Sequence, residues 1–281
     1  MCAPIAEQDQ IGMSRISCTL NEGGFIRGIV LYHVSTNTDL SAGPAASKDL
    51  LCLIIYRQIS PHCRIRKMIT SIIFDLDGLL ADTERLHCLA YQEALRAHGV
   101  AVSDHEYAEH WVRSGRGIVE WISDRGLTLD PILLRAHKSR CYLDLLIKEL
   151  RPMEGALALL EQLHSRKKLA LASSSYPDAV EGVLAGLGIG HYFQVIVTGL
   201  DVPRVKPAPD IFLAAAQQLG ATPSQCVVLE DAEKGVIAAS LAGMRCIAIP
   251  NHHTRHHDFS KATRVCNSLN EVTLELLDTL G

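Results

Sequence analysis

The hydrophobic positions change period along the chain, and the changes divide it. Ile69, Ile72, Ile73 and Phe74 form a short apolar run that reads as a buried strand, and it stops at Asp75 and Asp77, followed by Gly78, where the chain can turn. From Thr83 the spacing becomes helical. Leu86, Leu89, Ala90 and Ala94 share one face of a helix ending near Gly99. A short helix (Ile118 to Asp124) and a longer one (Pro131 to Leu150) follow, the longer opened by Asp130 as N-cap and Pro131 in its first turn. No strand-like stretch interrupts 83–150, so this block is expected to be a helical lid inserted directly after the first strand.

After Pro152 strands and helices alternate. Leu169 to Ser173, Gln194 to Thr198, Cys226 to Leu229 and Cys246 to Ile249 read as strands; the helix after Pro177 and those over Ile211 to Leu219 and Lys234 to Ala242 separate them. Such alternation predicts an α/β fold, a doubly wound parallel (Rossmann-like) sheet covered on both faces, with the helical cap inserted into it. The expected core is 68–82 with 151–281, and the cap 83–150. Residues 1–67 show no sustained period and are expected to form a poorly ordered extension. Met68 stands directly before the first core strand, and translation beginning there would be seen in the intact mass of the native protein.

Composition narrows the class. Of 281 residues, 48% are hydrophobic and 21% charged, with a net charge of -4, so nothing favours nucleic acid or a membrane surface. Nine cysteines without CxxC pairing fit a reducing compartment better than a disulfide framework, and those in strands read as small core hydrophobes. The longest apolar run, Leu50 to Tyr56, is far short of the ~20 residues that span a bilayer, and the N-terminus lacks a basic-then-apolar signal. A cytoplasmic monomer or weak dimer is expected. The histidines at 252, 253, 256 and 257 read as a solvated loop.

The chemistry collects at the strand ends, where open α/β sheets place their sites. Asp75 and Asp77, two apart, lean to the same side of a continuing strand, and anions that close need a shared cation or a proton. Ser173 ends the second strand, Lys206 follows the third, and Glu230 and Asp231 end the fourth. Hard oxygen donors suit Mg²⁺. A hydroxyl at a helix start and a lysine suit phosphate, with a carboxylate placed to attack phosphorus.

These segments resemble the four signatures of the haloacid dehalogenase-like hydrolases: Asp75-Leu76-Asp77-Gly78, Ser173 in Leu171-Ala172-Ser173-Ser174-Ser175, Lys206 in Val205-Lys206-Pro207-Ala208-Pro209-Asp210, and Leu229-Glu230-Asp231-Ala232-Glu233-Lys234-Gly235. The resemblance implies that Asp75 is a nucleophile forming an aspartyl-phosphate, and that Asp77 is the general acid/base. It implies Mg²⁺ on Asp75, Asp77 (through its carbonyl), Asp231 and Glu230, with Ser173, Ser174 and Lys206 on the phosphate. The inserted helices look like the cap of the β-phosphoglucomutase and sugar-phosphate phosphatase subgroup, in which Thr83, His87 and Arg116 match positions facing substrate or coupling cap to core. Three positions depart from the pattern: Val205 and Ala232 replace a usual Gly and Ser, and Arg113 replaces a cap Gly.

Within that family, the second carboxylate Asp77 argues against dehalogenation. Phosphonate hydrolysis requires a cap lysine, and none lies between Lys67 and Lys138. A phosphatase of small phosphate esters is the expected activity, since Arg116 alone is thin provision for holding a bisphosphate. A phosphomutase is the alternative; a phospho-receiver or an inactive binding module would belong to another class.

Overall fold

The computed structural model describes residues 68–281; the expectations for 1–67 and the start at Met68 lie outside the described residues. Six parallel strands form one sheet: β1 (Ser71–Phe74), β2 (Lys168–Ala172), β3 (Val195–Val197), β4 (Cys226–Glu230), β5 (Arg245–Ala248) and β6 (Arg264–Val265), in the order β3-β2-β1-β4-β5-β6. The chain builds outward from β1 to β3, then returns to place β4 on the other side of β1. The order therefore reverses between β1 and β4, and the crevice at a reversal of this kind is where such sheets bind ligands.

Parallel strands must be covered on both faces, and alternate residues divide accordingly. Ile72, Phe74, Leu169, Leu171, Val227 and Leu229 pack with α5 (Ala156–Leu163) and α6 (Pro177–Leu187). Ile73, Ala170, Ala172, Val228 and Cys246 pack with α7 (Asp210–Gln218) and α8 (Glu233–Leu241). A short α9 (Leu274–Thr279) joins the first face through Leu277. Cys226 and Cys246 are buried core residues, and all five cysteines among the described residues are free.

Between β1 and β2 the chain is helical: α1 (Glu84–Arg96), α2 (Asp104–Tyr107), a π-helical turn (Ala108–Arg113), α3 (Ile118–Asp124) and α4 (Pro131–Glu149). Asp130 caps α4, its Oδ1 accepting from the amides of Ile132 (2.8 Å) and Leu133 (3.3 Å). The block has its own core, in which Leu95, Tyr107, Trp111, Trp121, Ile122 and Leu134 pack together. The antiparallel limbs α1 and α4 belong to both cores: Leu86, Ala90, Tyr142 and Leu146 face the sheet domain, whereas Cys88, Ala94, Leu95 and Leu134 face the cap. No helix among the described residues is long and apolar enough to cross a membrane.

Candidate active site at the carboxyl ends of the strands

Asp75 follows the last residue of β1, and its amide donates to the Leu229 carbonyl (3.0 Å), so the β1–β4 pairing itself aims the carboxylate into the crevice. Lys206, 1% exposed, bridges the cluster. Its Nζ donates to Asp75 Oδ1, to Glu230 Oε1 (2.8 Å) and to the Ala172 carbonyl at the end of β2 (2.8 Å). Glu230 Oε2 accepts from the amides of Asp231 and Ala232, both at 3.0 Å. Glu230 thus fastens Lys206 and shapes the turn that presents Asp231. Gly235 makes this possible, because a Cβ there would run into the Glu230 carboxylate.

Asp77 faces hydroxyls instead. It accepts from Thr83 Oγ1 (2.6 Å), Ser175 Oγ (2.7 Å) and Ser173 Oγ (3.2 Å), and its Oδ1 lies 3.1 Å from His87 Nε2. Burial alone would raise its carboxyl, but His87 and the hydroxyls of Thr83 and Ser175 outweigh burial and hold it well below the ordinary range. His87 Nδ1 lies 2.6 Å from Lys138 Nζ, a buried ammonium on α4. An ammonium can only donate, so Nδ1 accepts and Nε2–H points at Asp77. Burial, then the Lys138 charge, lower the His87 pKa, consistent with this neutral tautomer.

The charge balance shows what this site can hold. Single carboxylate oxygens from Asp75, Glu230 and Asp231 all lie within 4.8 Å of one another, and all three residues are buried. Burial, with Glu230 and Asp77 nearby, pushes Asp75 up to about 8 despite the opposing Lys206 charge. Burial and the neighbouring carboxylates push Asp231 well above its usual range. Burial opposes the charge on Lys206, yet Asp75 and Glu230 raise its pKa, so it is the fixed cation. Lys206 pairs with Asp75 and Glu230 and not with Asp231, so ionising all three buried carboxylates would leave anionic charge uncompensated. A hard divalent cation with oxygen ligands fits that deficit. Ser174, next in sequence to Ser173, has a buried Oγ with no hydrogen-bond partner in the protein.

A sequence model of the haloacid dehalogenase-like hydrolases matches residues 69–243. The chain belongs to that family. The fructose-1-phosphate phosphatase YqaB of Escherichia coli (strain K12) is 34% identical over 183 residues, covering 63% of this chain and 95% of its own. The crystal structure of CbbY from Rhodobacter sphaeroides in complex with phosphate superposes with a TM-score of 0.70 at 31% identity, over 75% of this chain and all of that one. A β-phosphoglucomutase structure from Clostridium difficile superposes with a TM-score of 0.66 at 26% identity, over 76% and 97% of the two chains.

Most positions that the resemblance singled out converge: Thr83, His87 and Ser173 meet at Asp77, and Lys206, Glu230 and Asp231 gather at Asp75 two residues away, with Ser174 next in sequence to Ser173. Arg116 does not join them. Its Nη1 pairs with Asp124 (2.6 Å) on a side chain 44% exposed, within the cap. The cap approaches the family's lysine loop through Gly115 instead. Gly115 has φ +69°, and a Cβ there would sit 2.7 Å from the Lys206 carbonyl. Lys234 Nζ donates to the Trp111 carbonyl (2.9 Å), and Arg113 reaches Glu233 (3.4 Å).

Four polar residues beyond those positions belong to the site. Ser175 holds Asp77. Lys138 had a visible signal: Leu134, Lys138, Tyr142 and Leu146 are the buried residues of α4, so a lysine stands within an otherwise largely apolar i, i+4 stripe. It is a lysine of the cap, so the lack of a cap lysine does not hold as an argument against phosphonate hydrolysis. Burial pushes Lys138 down to about 8. Asn251 lies just past β5, one strand beyond Glu230 and Asp231. Glu84, buried beside the site, accepts from Tyr107 Oη (2.9 Å), and burial pushes it up to about 7.

Proposed function

We propose that this chain hydrolyses phosphate monoesters of small metabolites, sugar phosphates foremost, through phosphorylation of Asp75, and that Asp75, the Asp77 carbonyl and Asp231 beside Glu230 would hold Mg²⁺. One observation carries the reading. A buried lysine fixes a carboxylate at the β1 end while a second carboxylate two residues on is ringed by hydroxyls, so nucleophile and proton carrier occupy different electrostatic surroundings a few ångströms apart. Mg²⁺ would supply charge neutralisation for the phosphoryl oxygens and keep Asp75 ionised.

In this reading Asp75 Oδ attacks phosphorus and the ester oxygen leaves. Lys206, Ser173 and Ser174 bind the phosphoryl oxygens. Asp77 gives the leaving oxygen its proton. Asp77 is ionised in the resting arrangement, but a phosphate dianion entering beside it raises its proton affinity, so loading of the acid accompanies substrate binding. The alcohol then departs, and Asp77 takes a proton from the water that attacks the aspartyl-phosphate. His87, oriented by Lys138, keeps Asp77 aimed throughout.

A phosphatase is preferred to a mutase because Arg116, the cap position suited to a second phosphate, is already paired with Asp124. The relative YqaB, by name a fructose-1-phosphate phosphatase, supports sugar phosphates as the first substrates to try. The test is Mg²⁺-dependent phosphate release across a sugar-phosphate panel, with β-glucose 1-phosphate plus a trace of its 1,6-bisphosphate followed for glucose 6-phosphate. Phosphate release lost in Asp75→Asn supports the proposal. Isomerisation without release would replace it with a mutase. Turnover by neither route would leave a binding or receiver module.

A further inference from the structure

We propose that Asn251 is a positioning residue that sets metal affinity by locking the Asp231 carboxylate; this rests on the metal reading above. Its Nδ2 donates to Asp231 Oδ2 (2.8 Å) and to the Gly78 carbonyl (2.9 Å). It thereby ties the carboxylate after β4 to the turn after β1, from a loop that belongs to β5. Gly78 is required for this approach. It has φ +82°, and a Cβ there would stand 2.6 Å from Asp231 Oδ2 and 2.7 Å from Asn251 Nδ2.

The amide is itself held in one orientation. Asn251 Oδ1 accepts from the amides of His253 (2.8 Å) and Thr254 (3.3 Å), and the Asn251 amide donates to Thr254 Oγ1 (3.1 Å). Thr254 is fully buried. These bonds fix which end of the side chain is nitrogen, so the face turned to Asp231 can only donate. With every side-chain polar atom engaged, Asn251 has nothing left to offer a substrate.

The chemistry suits a cation site. Asp231 must be held still and must keep its charge. A lysine at 251 would neutralise it and compete with the cation, whereas a neutral amide orders Oδ2 and leaves Oδ1 with its lone pairs and the carboxylate with its charge. Hydrogen-bond partners of metal-ligating groups commonly change metal affinity 10–100-fold when removed.

The experiment is Mn²⁺ binding to the full chain without substrate, read from the free-Mn²⁺ electron paramagnetic resonance signal. Asn251→Ser retains a short acceptor for the two loop amides but cannot reach Asp231. It should weaken Mn²⁺ by roughly 10–100-fold, with a melting temperature in EDTA near that of the wild type. Thr254→Val removes a loop bond and leaves the Asn251 amide in place, and should bind Mn²⁺ as the wild type does. Should Asn251→Ser fail to fold, Asn251→Gln, which displaces the amide by one methylene, must show the same weakening. Unchanged affinity in the Asn251 variant, or equal weakening in Thr254→Val, would overturn the assignment. A wild-type chain that takes up no Mn²⁺, or an Asp231→Asn variant that binds it normally, would instead bring down the metal reading beneath it.

Discussion

Replacing Lys206 by methionine is the perturbation with the largest consequence that the structure allows to be worked through. Methionine preserves much of the apolar stem but removes the ammonium that bridges Asp75, Glu230 and the Ala172 carbonyl. What remains is a pair of buried carboxylates facing each other, with Asp231 alongside. Breaking a buried ion pair from one side costs about 3–5 kcal/mol. For a domain of about 200 residues each kcal/mol moves the melting temperature by roughly 2–4 °C, so a fall of roughly 6–20 °C is expected in EDTA. Saturating Mg²⁺ should recover part of the loss, because at about 100 times its dissociation constant a bound ligand stabilises by about 2.7 kcal/mol. Turnover should not recover with it, since losing one preorganised donor to a charged transition state costs roughly 10²–10³ in rate. Urea and thermal unfolding with and without Mg²⁺, followed by phosphate-release kinetics, separate the two effects. A loss below about 1 kcal/mol, or a variant that turns over normally in Mg²⁺, would refute the bridging role.

Three further outcomes follow from the same geometry. Burial pushes Glu84 up to about 7 from the ordinary glutamate value of 4.5, so the fold favours its protonated form. That contribution is complete below the unfolded value and is lost as pH rises from about 4.5 to about 7. Glu84→Gln should therefore gain on the wild type across that interval, by about 3 kcal/mol in urea unfolding; parallel curves would contradict it. Lys138→Met removes the donor to His87 Nδ1 but keeps the stem packed near Tyr91 and Tyr142. Turnover should fall by about 10² while the urea midpoint holds or rises, and an unchanged rate would remove Lys138 from the site. In Gly235→Ala the added methyl must displace the Glu230 carboxylate, which should cost about 1–3 kcal/mol; a neutral change would mean that Glu230 is not fixed there.

The strand–helix alternation and the apolar runs were enough to read the sheet and the helical insertion, because parallel strands buried on both faces must be apolar and must be separated by covering helices. The residues at the ends of the strands were legible for the same reason: a carboxylate or a lysine that interrupts such a run has few other places to be. What escaped was mostly short or set by tertiary contact. β6 has two residues, α9 has six, and the π-helical turn over Ala108–Arg113 carries no period of its own. Lys138 interrupts an apolar stripe of α4 and was visible as such, but its role becomes legible only once His87 is seen across from it. Asn251 was hidden because its role depends on Gly78 and Asp231, which are 173 and 20 residues away in sequence. Arg116 shows the opposite limit, since motif position alone could not show that Asp124 would pair with it.

The central claim is that Asp75 carries the phosphoryl group. The most direct measurement is an acid-quenched turnover with the best sugar phosphate and Mg²⁺, followed by borohydride reduction and peptide mass spectrometry. A phosphorylated Asp75 is reduced to homoserine at that position, and the account predicts this product in the wild type and its absence when substrate is omitted. Phosphate release that proceeds with Asp75 never modified, or that survives Asp75→Asn, would contradict it.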